Sequence, residues 1–370
     1  MIPLSGDDLR WLDAAARIAL PYRGTTGANP TVGAIVVSPD GVMLGRGVTA
    51  PGGRPHAEPQ ALAMAGEKAR GATLYVTLEP CNHHGRTPPC VDAVIASGVA
   101  RVVVGATDPD PRTAGEGIQR LRTAGIPVTV ADRHPLSHEL HEGFFSRIER
   151  SRPFVTAKLA VSADGMIGLA DKGNVPITGE AARRWTHMQR ALSNAVMVGG
   201  NTAILDHPRL NVRLPGLEDR TPLRVIVLAR GQVNHIASLD GQHTVFIVEN
   251  AEGESVSHLR EAVESVSDII ESPSDNGRPN LLAGLEKLGQ RGISTVLVEG
   301  GAKLNDALLD ANLIDRFHLL ESKTEIGPHG IPATVHPSLP HRLTQLGFVP
   351  VDNRMLGCDR LTTFEKKQDQ

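Results

Sequence analysis

The chain has 370 residues, with 38 basic against 41 acidic side chains and a formal net charge of −3. That length suits two domains with real cores, and the balanced charge with only 3% aromatic residues argues against a nucleic-acid partner. Cys81, Cys90 and Cys358 are too few for a disulfide framework; no apolar run reaches the ~18–20 residues of a membrane helix, and MIPLSGDDLRWLD shows no signal pattern, so a cytoplasmic protein without a membrane partner is expected.

Leu9, Leu12, Ala16 and Ile18–Ala19 recur at helical spacing behind the cap candidates Ser5, Asp7 and Asp8, which predicts an opening helix. Strands are expected at Val32–Val37 and Val42–Val48, around a turn at Ser38–Gly41. A helix over Ala57–Arg70, a strand over Thr73–Leu78 and a helix over Cys90–Ser97 follow. Then come a strand at Arg101–Val104, a helix at Gly115–Thr123 and a strand at Val128–Val130. Ser137–Arg150 reads as a charged connector helix that Arg152–Pro153 punctuates. The boundary therefore falls near 148–152, giving domains 1–149 and 150–370.

The second half keeps the alternation. Its expected strands are Phe154–Val161, Ala195–Val198, Leu223–Leu228, Thr244–Val248, Thr295–Val298 and Asp315–Leu320, with Leu361–Phe364 as an edge strand. Its expected helices are Glu180–Ser193, Val256–Val266, Leu281–Gln290 and Lys303–Leu309. Cys358 reads as a plain late-strand residue. Strands alternating with helices mean an α/β protein whose sheets are mixed or parallel and covered by helices.

Two motifs in the first half carry chemistry. His56-Ala57-Glu58 opens a predicted helix, and Pro80-Cys81-Asn82-His83-His84-Gly85-Arg86-Thr87-Pro88-Pro89-Cys90 follows a strand. One imidazole and two thiolates leave the fourth tetrahedral position of a zinc ion open for water, the pattern of a catalytic site. Helix N-termini at His56 and Cys90 would favour the thiolate form. Glu58 can face the open position without ligating and move protons there. His-x-Glu followed by a Pro-Cys motif is the general signature of zinc nucleobase deaminases, although eight residues separate the cysteines here instead of two. A structural zinc completed by His83 or His84 is the plainer alternative. Within the insert, Arg86 and Thr87 pair a cation with a hydroxyl, which suits a substrate phosphate.

These residues, with Asn29-Pro30-Thr31-Val32-Gly33-Ala34 and Thr77-Leu78-Glu79, resemble the RibD family of bifunctional riboflavin-biosynthesis proteins. The resemblance implies a cytidine-deaminase-like α/β/α domain followed by a dihydrofolate-reductase-like α/β domain. It implies zinc held by His56, Cys81 and Cys90, Glu58 as proton shuttle and Asn29 as a substrate contact. An amide at Asn29 offers both a donor and an acceptor to a pyrimidine edge, although a turn role before Pro30 is an alternative. Val48-Thr49 stands where many members carry Tyr-His.

The second half lacks a Gly-x-Gly-x-x-Gly fingerprint, so a Rossmann site is not expected. Its Lys158–Gly165 segment, its Val198–Arg213 segment and the strand Thr295–Val298 running into Glu299-Gly300-Gly301 resemble the reductase half of the same family. The glycine turn could hold a phosphate on backbone N–H groups or serve packing alone. The resemblance implies NADPH near Ala160, Pro176, Thr202, Asp206 and Gly301. It implies substrate contacts at Asn174, Arg190, Leu210, Arg213 and Glu299. Arginine's fork suits a phosphorylated sugar, although Arg190 shares its helix with Arg183 and Arg184 and could belong to a solvated face. Asn174, Pro176 and His207 depart from the usual family residues.

The implied function is two consecutive reactions on a small phosphorylated pyrimidine in a homo-oligomer of two or four chains. The first is zinc-dependent deamination of 2,5-diamino-6-ribosylamino-4(3H)-pyrimidinone 5′-phosphate. The second is NADPH-dependent reduction of the ribosyl side chain to ribityl. An active deaminase joined to an inactive reductase-like domain is one alternative, and a zinc-stabilised nucleic-acid module is another.

Overall fold

The structure is a computed structural model describing residues 4–85, 87–131, 134–169, 175–229, 232, 243–249, 267–336 and 338–367. The chain divides into two compact units, Met1–Ser151 and Arg152–Gln370.

Helix α1 (Gly6–Ala19) opens on a capping box, in which Ser5 Oγ accepts from the Asp8 N–H and Asp8 accepts from the Ser5 N–H. There follow β1 (Gly33–Val37), β2 (Met43–Val48), α2 (Ala57–Ala65), β3 (Thr73–Val76) and α3 (Cys90–Ser97). The unit ends with β4 (Arg101–Val104), α4 (Glu116–Thr123), β5 (Val128–Val130) and α5 (Pro135–Glu149). The five strands form one sheet in the order β2-β1-β3-β4-β5. β1 is antiparallel to both neighbours, and β3, β4 and β5 run parallel.

Alternate strand residues feed opposite faces. Ala34, Val36, Leu74, Val76, Val102 and Val104 pack with Ala57, Ala61, Val91 and Val94 of α2 and α3. Ile35, Val37, Tyr75 and Val103 pack with Leu12 and Ala15 of α1. The buried Asp8 carboxylate stitches α1 to the sheet, accepting from Tyr75 and from both arms of Arg101. Helix α2 lies in backbone contact with β2. A Cβ on Gly47 would stand 2.2 Å from the Ala57 carbonyl oxygen, and one on Gly45 would stand 2.2 Å from that of Ala61.

The second unit begins where Arg152 forks onto Asp315, whose carboxylate also accepts the Val155 N–H. Its elements are β6 (Phe154–Val161), β7 (Met166–Leu169), α6 (Glu180–Ala191), β8 (Ala195–Gly199), α7 (Gly200–Asp206), β9 (Leu223–Leu228), β10 (Thr244–Glu249) and β11 (Ser267–Ser272). The short pair β12 (Ser274–Asp275) and β13 (Arg278–Pro279) precedes α8 (Leu281–Gln290), β14 (Thr295–Val298) and α9 (Ala302–Asp310). Last come β15 (Arg316–Glu321), β16 (Gly330–Pro332), α10 (Leu339–Gln345), β17 (Phe348–Leu356) and β18 (Asp359–Lys366). Nine strands form the order β11-β10-β9-β8-β14-β6-β15-β18-β17. The strands from β11 to β15 are mutually parallel, and the β17–β18 hairpin closes the sheet antiparallel.

Several expectations are revised. The helix from Ala57 stops at Ala65, because Gly66 takes a left-handed φ of 57° and a short 3-10 turn follows. The Leu361–Phe364 strand is not an edge. It lies inside β18, between β15 and β17, and β17 is the edge. Cys358 sits exposed in the turn between these two strands, not in a strand. The helix expected at Val256–Val266 lies outside the described residues. Among the described residues no helix is long and apolar enough to cross a membrane.

Candidate active sites

In the first unit three segments converge. His56 is the N-cap residue of α2, Cys90 opens α3, and Cys81 follows β3. His56 Nδ1 stands 3.3 Å from Cys90 Sγ and 3.6 Å from Cys81 Sγ, and the three ligand atoms lie within 4.8 Å of one another. A tetrahedral zinc with nitrogen at ~2.0–2.1 Å and sulfur at ~2.3 Å spaces those atoms by about 3.5 Å. The donor set and its spacing therefore fit zinc. Among the described residues no fourth ligand joins the cluster. His83 turns to Thr113 instead, with Nδ1 3.3 Å from the hydroxyl.

The two sulfurs divide their roles. Hydrogen bonds from Cys90 and His56 draw the Cys81 thiol down to about 4, and a bond to Cys81 raises the His56 pKa. Cys90 is pushed up, because it is the donor to the Cys81 thiolate and is itself buried. The helix N-terminus thus does not decide the ionisation of Cys90, as its position alone suggests; the neighbouring thiolate does. A dication is what lets both sulfurs ionise at once.

Glu58 sits in the first turn of α2, 3% exposed, and desolvation followed by the Cys81 charge pushes its pKa up to about 7. Asn29 lies in a turn, its N–H donating to the Thr26 carbonyl, and its side chain is pressed against Gly53. A Cβ on Gly53 would stand 2.1 Å from Asn29 Nδ2, so the loop before His56 needs glycine here. Thr49 is buried, and its hydroxyl oxygen accepts the Val32 N–H at 3.0 Å.

In the second unit β8, β14 and β6 are adjacent and parallel. Their carboxyl ends carry Gly200–Thr202, Glu299–Gly301 and Ala160 respectively. Ligands of open α/β sheets bind beyond such ends. A Cβ on Gly301 would lie 3.7 Å from the Thr202 hydroxyl, so these two residues border one space. This glycine-lined end fits a dinucleotide. Asp206 closes α7 at an exposed position, with partial desolvation raising its pKa. Pro176 is exposed shortly before α6, and Asn174 lies outside the described residues.

Arg190 leaves the face shared by Arg183 and Arg184. Those two bond at the surface to the Thr178 carbonyl and to Glu180. Arg190 instead forks onto Glu299, at 2.5 and 2.9 Å, and donates to the Asn211 carbonyl. Arg213 donates to Asn211 Oδ1, and desolvation with the nearby Arg190 lowers its pKa. Leu210 is buried with a left-handed φ of 53°, a strained backbone for a bulky residue.

The comparisons with known proteins agree along the chain. Residues 153–355 match the RibD C-terminal domain, and residues 6–106 match the cytidine and deoxycytidylate deaminase zinc-binding region. The chain belongs to the RibD family. It is 38% identical to the riboflavin biosynthesis protein RibD of Escherichia coli, over 84% of this chain and 86% of that one. The Aquifex aeolicus RibD is 39% identical over 84% and 85%. Among solved structures, form 1 of Acinetobacter baumannii RibD superposes with a TM-score of 0.83 at 34% identity, covering 98% of this chain and 99% of that one. A Thermotoga maritima diaminohydroxyphosphoribosylaminopyrimidine deaminase/5-amino-6-(5-phosphoribosylamino)uracil reductase gives 0.81 at 31% identity, covering 97% and 99%. As a RibD, the chain is a two-domain enzyme of riboflavin biosynthesis, a deaminase joined to a reductase.

Two side chains at the RibD sites, quoted above only as parts of matching segments, have roles that sequence reasoning did not assign. Lys158 of β6 is half-buried with Nζ 3.9 Å from Glu299, and desolvation lowers its pKa. A lysine, the one charged residue in a mostly apolar strand, was its signal. Glu79, two residues before Cys81, accepts the N–H groups of Asp108, Gly115 and Ile118. It pins the 108–118 loop to the metal-ligand loop, a role no local pattern announces.

Proposed function

We propose that the first unit deaminates 2,5-diamino-6-ribosylamino-4(3H)-pyrimidinone 5′-phosphate and that the second reduces the ribosyl chain of the product with NADPH. The observation that carries the reading is the open three-ligand cluster with buried Glu58 beside it. The Thermotoga relative named for both activities supports the substrate class.

Zinc, when bound by His56, Cys81 and Cys90, supplies Lewis-acid activation of water. Glu58 does the proton work. A carboxyl poised at about 7 exists in both forms near neutrality, so it can take a proton from the attacking water and return it to the departing amine. Water adds at the amino-bearing ring carbon and ammonia leaves. Asn29, backed by Gly53, presents its amide to the pyrimidine edge.

Ala160, Pro176, Thr202, Asp206 and Gly301 would hold NADPH, which would supply the hydride for C1′ of the sugar. Glu299 fixes the fork of Arg190, and Arg213 stands nearby as a second cation. Together with Leu210 and Asn174 these residues orient the phosphorylated sugar.

The test follows both steps in one vessel, with ammonia and absorbance at ~340 nm, the nicotinamide band, read together. Wild-type protein releases ammonia without NADPH and consumes NADPH once it is added. Glu58→Gln retains zinc and loses ammonia release by about 10²–10⁴-fold. Normal deamination by that variant refutes the role of Glu58. Ammonia without NADPH oxidation refutes the reductase half and leaves the reading of an active deaminase with an inactive partner domain.

A further inference from the structure

We propose that Arg54 is a phosphate-recognition residue of the deaminase site, acting with Thr87 on the substrate's 5′-phosphate. The proposal rests on the phosphorylated substrate proposed above. Arg54 precedes His56 by two residues and is half-buried. Its Nη1 donates to the Thr87 hydroxyl, which lies in the loop between the two cysteine ligands. Its Nη2 passes over Gly85, where a Cβ would stand 3.0 Å away. The loop before α2 and the loop between Cys81 and Cys90 are therefore joined by a cation.

Three facts give that cation a task beyond the joint. First, no ion pair joins Arg54 to a carboxylate among the described residues, and its guanidinium, at an exposed contact with Thr87, is open to an incoming anion. Second, most of its five N–H donors remain after one goes to Thr87, and the Thr87 hydroxyl, accepting from Arg54, keeps its own proton to donate. A fork and a hydroxyl side by side match a phosphate. Third, the groups gathered at His56 are acidic ones, Glu58, Cys81 and Cys90, and none of these three can carry a positive charge. A dianionic substrate needs cations outside that cluster, and Thr49 supplies none, being uncharged and bonded to the Val32 N–H.

The experiment compares deamination of the ribotide with that of its 5′-dephosphorylated nucleoside, using the full chain with zinc measured. Wild-type protein prefers the ribotide, and added salt weakens the preference. Arg54→Met is expected to lower the ribotide-to-nucleoside ratio of kcat/KM by about 10–100-fold, mainly through KM, as loss of a charged hydrogen bond predicts. Arg54→Lys restores part of the ratio, since a point charge replaces the fork. Zinc content, and NADPH oxidation with the deaminated product supplied directly, report that the variants are folded. A purely structural tie would depress both substrates equally or release zinc, leaving the ratio unchanged; that result overturns the proposal alone. If zinc-loaded wild-type protein deaminates neither compound, the deaminase reading falls and the proposal falls with it.

Discussion

Gly47→Ala tests whether the close approach of helix and strand sets the metal site. Helix α2 carries His56 at its cap and Glu58 in its first turn, and it rests on β2 through glycine backbone. A Cβ at residue 47 would meet the Ala57 oxygen at 2.2 Å, the Ala61 nitrogen at 2.8 Å and Gln60 Cβ at 2.8 Å. Two of these are backbone atoms of a hydrogen-bonded helix and cannot swing aside. To regain van der Waals distance, the Ala57 carbonyl must retreat by about 1 Å, carrying His56 and Glu58 on either side of it. Overpacking of this kind costs about 1–3 kcal/mol, and a displacement of ~1 Å at a reacting group costs about 10²-fold in rate. The expected result is weakened zinc retention and a deamination rate lower by about two orders of magnitude, with NADPH oxidation unchanged when the deaminated product is supplied directly. Zinc by metal analysis, ammonia release and a thermal melt read these effects. Gly6→Ala, with nothing within 4 Å of the new methyl, is the control. A Gly47→Ala protein with full zinc and ammonia release within about twofold of wild type would refute the argument that helix position is transmitted to the site.

Two further outcomes follow from buried charges. Glu299→Gln leaves Arg190 and Lys158 without their shared carboxylate, so the second unit should lose up to about 3–5 kcal/mol of stability and NADPH oxidation should fail while ammonia release continues; a melt indistinguishable from wild type counts against this part-buried triad. Burial holds His141 neutral, its pKa pushed down to about 3 against 6.5 for the free group, with Nε2 3.0 Å from the Thr77 hydroxyl. The unfolded chain takes up a proton that the folded one refuses, so this contribution is complete above pH 6.5 and drains away as pH falls toward 3, by about 1.4 kcal/mol per pH unit. Urea titrations of wild type and His141→Gln should therefore converge as pH drops from 6.5; parallel curves would show that His141 titrates normally.

The opening helix, the strand-helix alternation and the candidate zinc ligands were legible because each is a local property. Ser5 and Asp8 form their capping box within four residues. His56 and Cys90 sit at helix starts that hydrophobic period and helix-stop signals mark in the sequence. The β17 edge was illegible because most of its residues are exposed, so no apolar alternation betrays it. Without β17 in view, β18 was mistaken for the edge.

The sequence by itself determined the chemistry on offer: one imidazole, two thiols, a carboxylate two residues from the imidazole, and arginines in a second α/β half. Only the tertiary structure decided which of these groups meet. Arg190 rather than Arg183 or Arg184 finds Glu299, 109 residues away, because α6 turns that side chain inward toward the end of β14. Lys158 joins them because β6 lies beside β14 in the sheet order. Arg54 reaches Thr87 across two loops that share no local pattern. Residue type and period are written along the chain, but electrostatic partnership depends on distance, and distance between remote segments is set by sheet order and close packing.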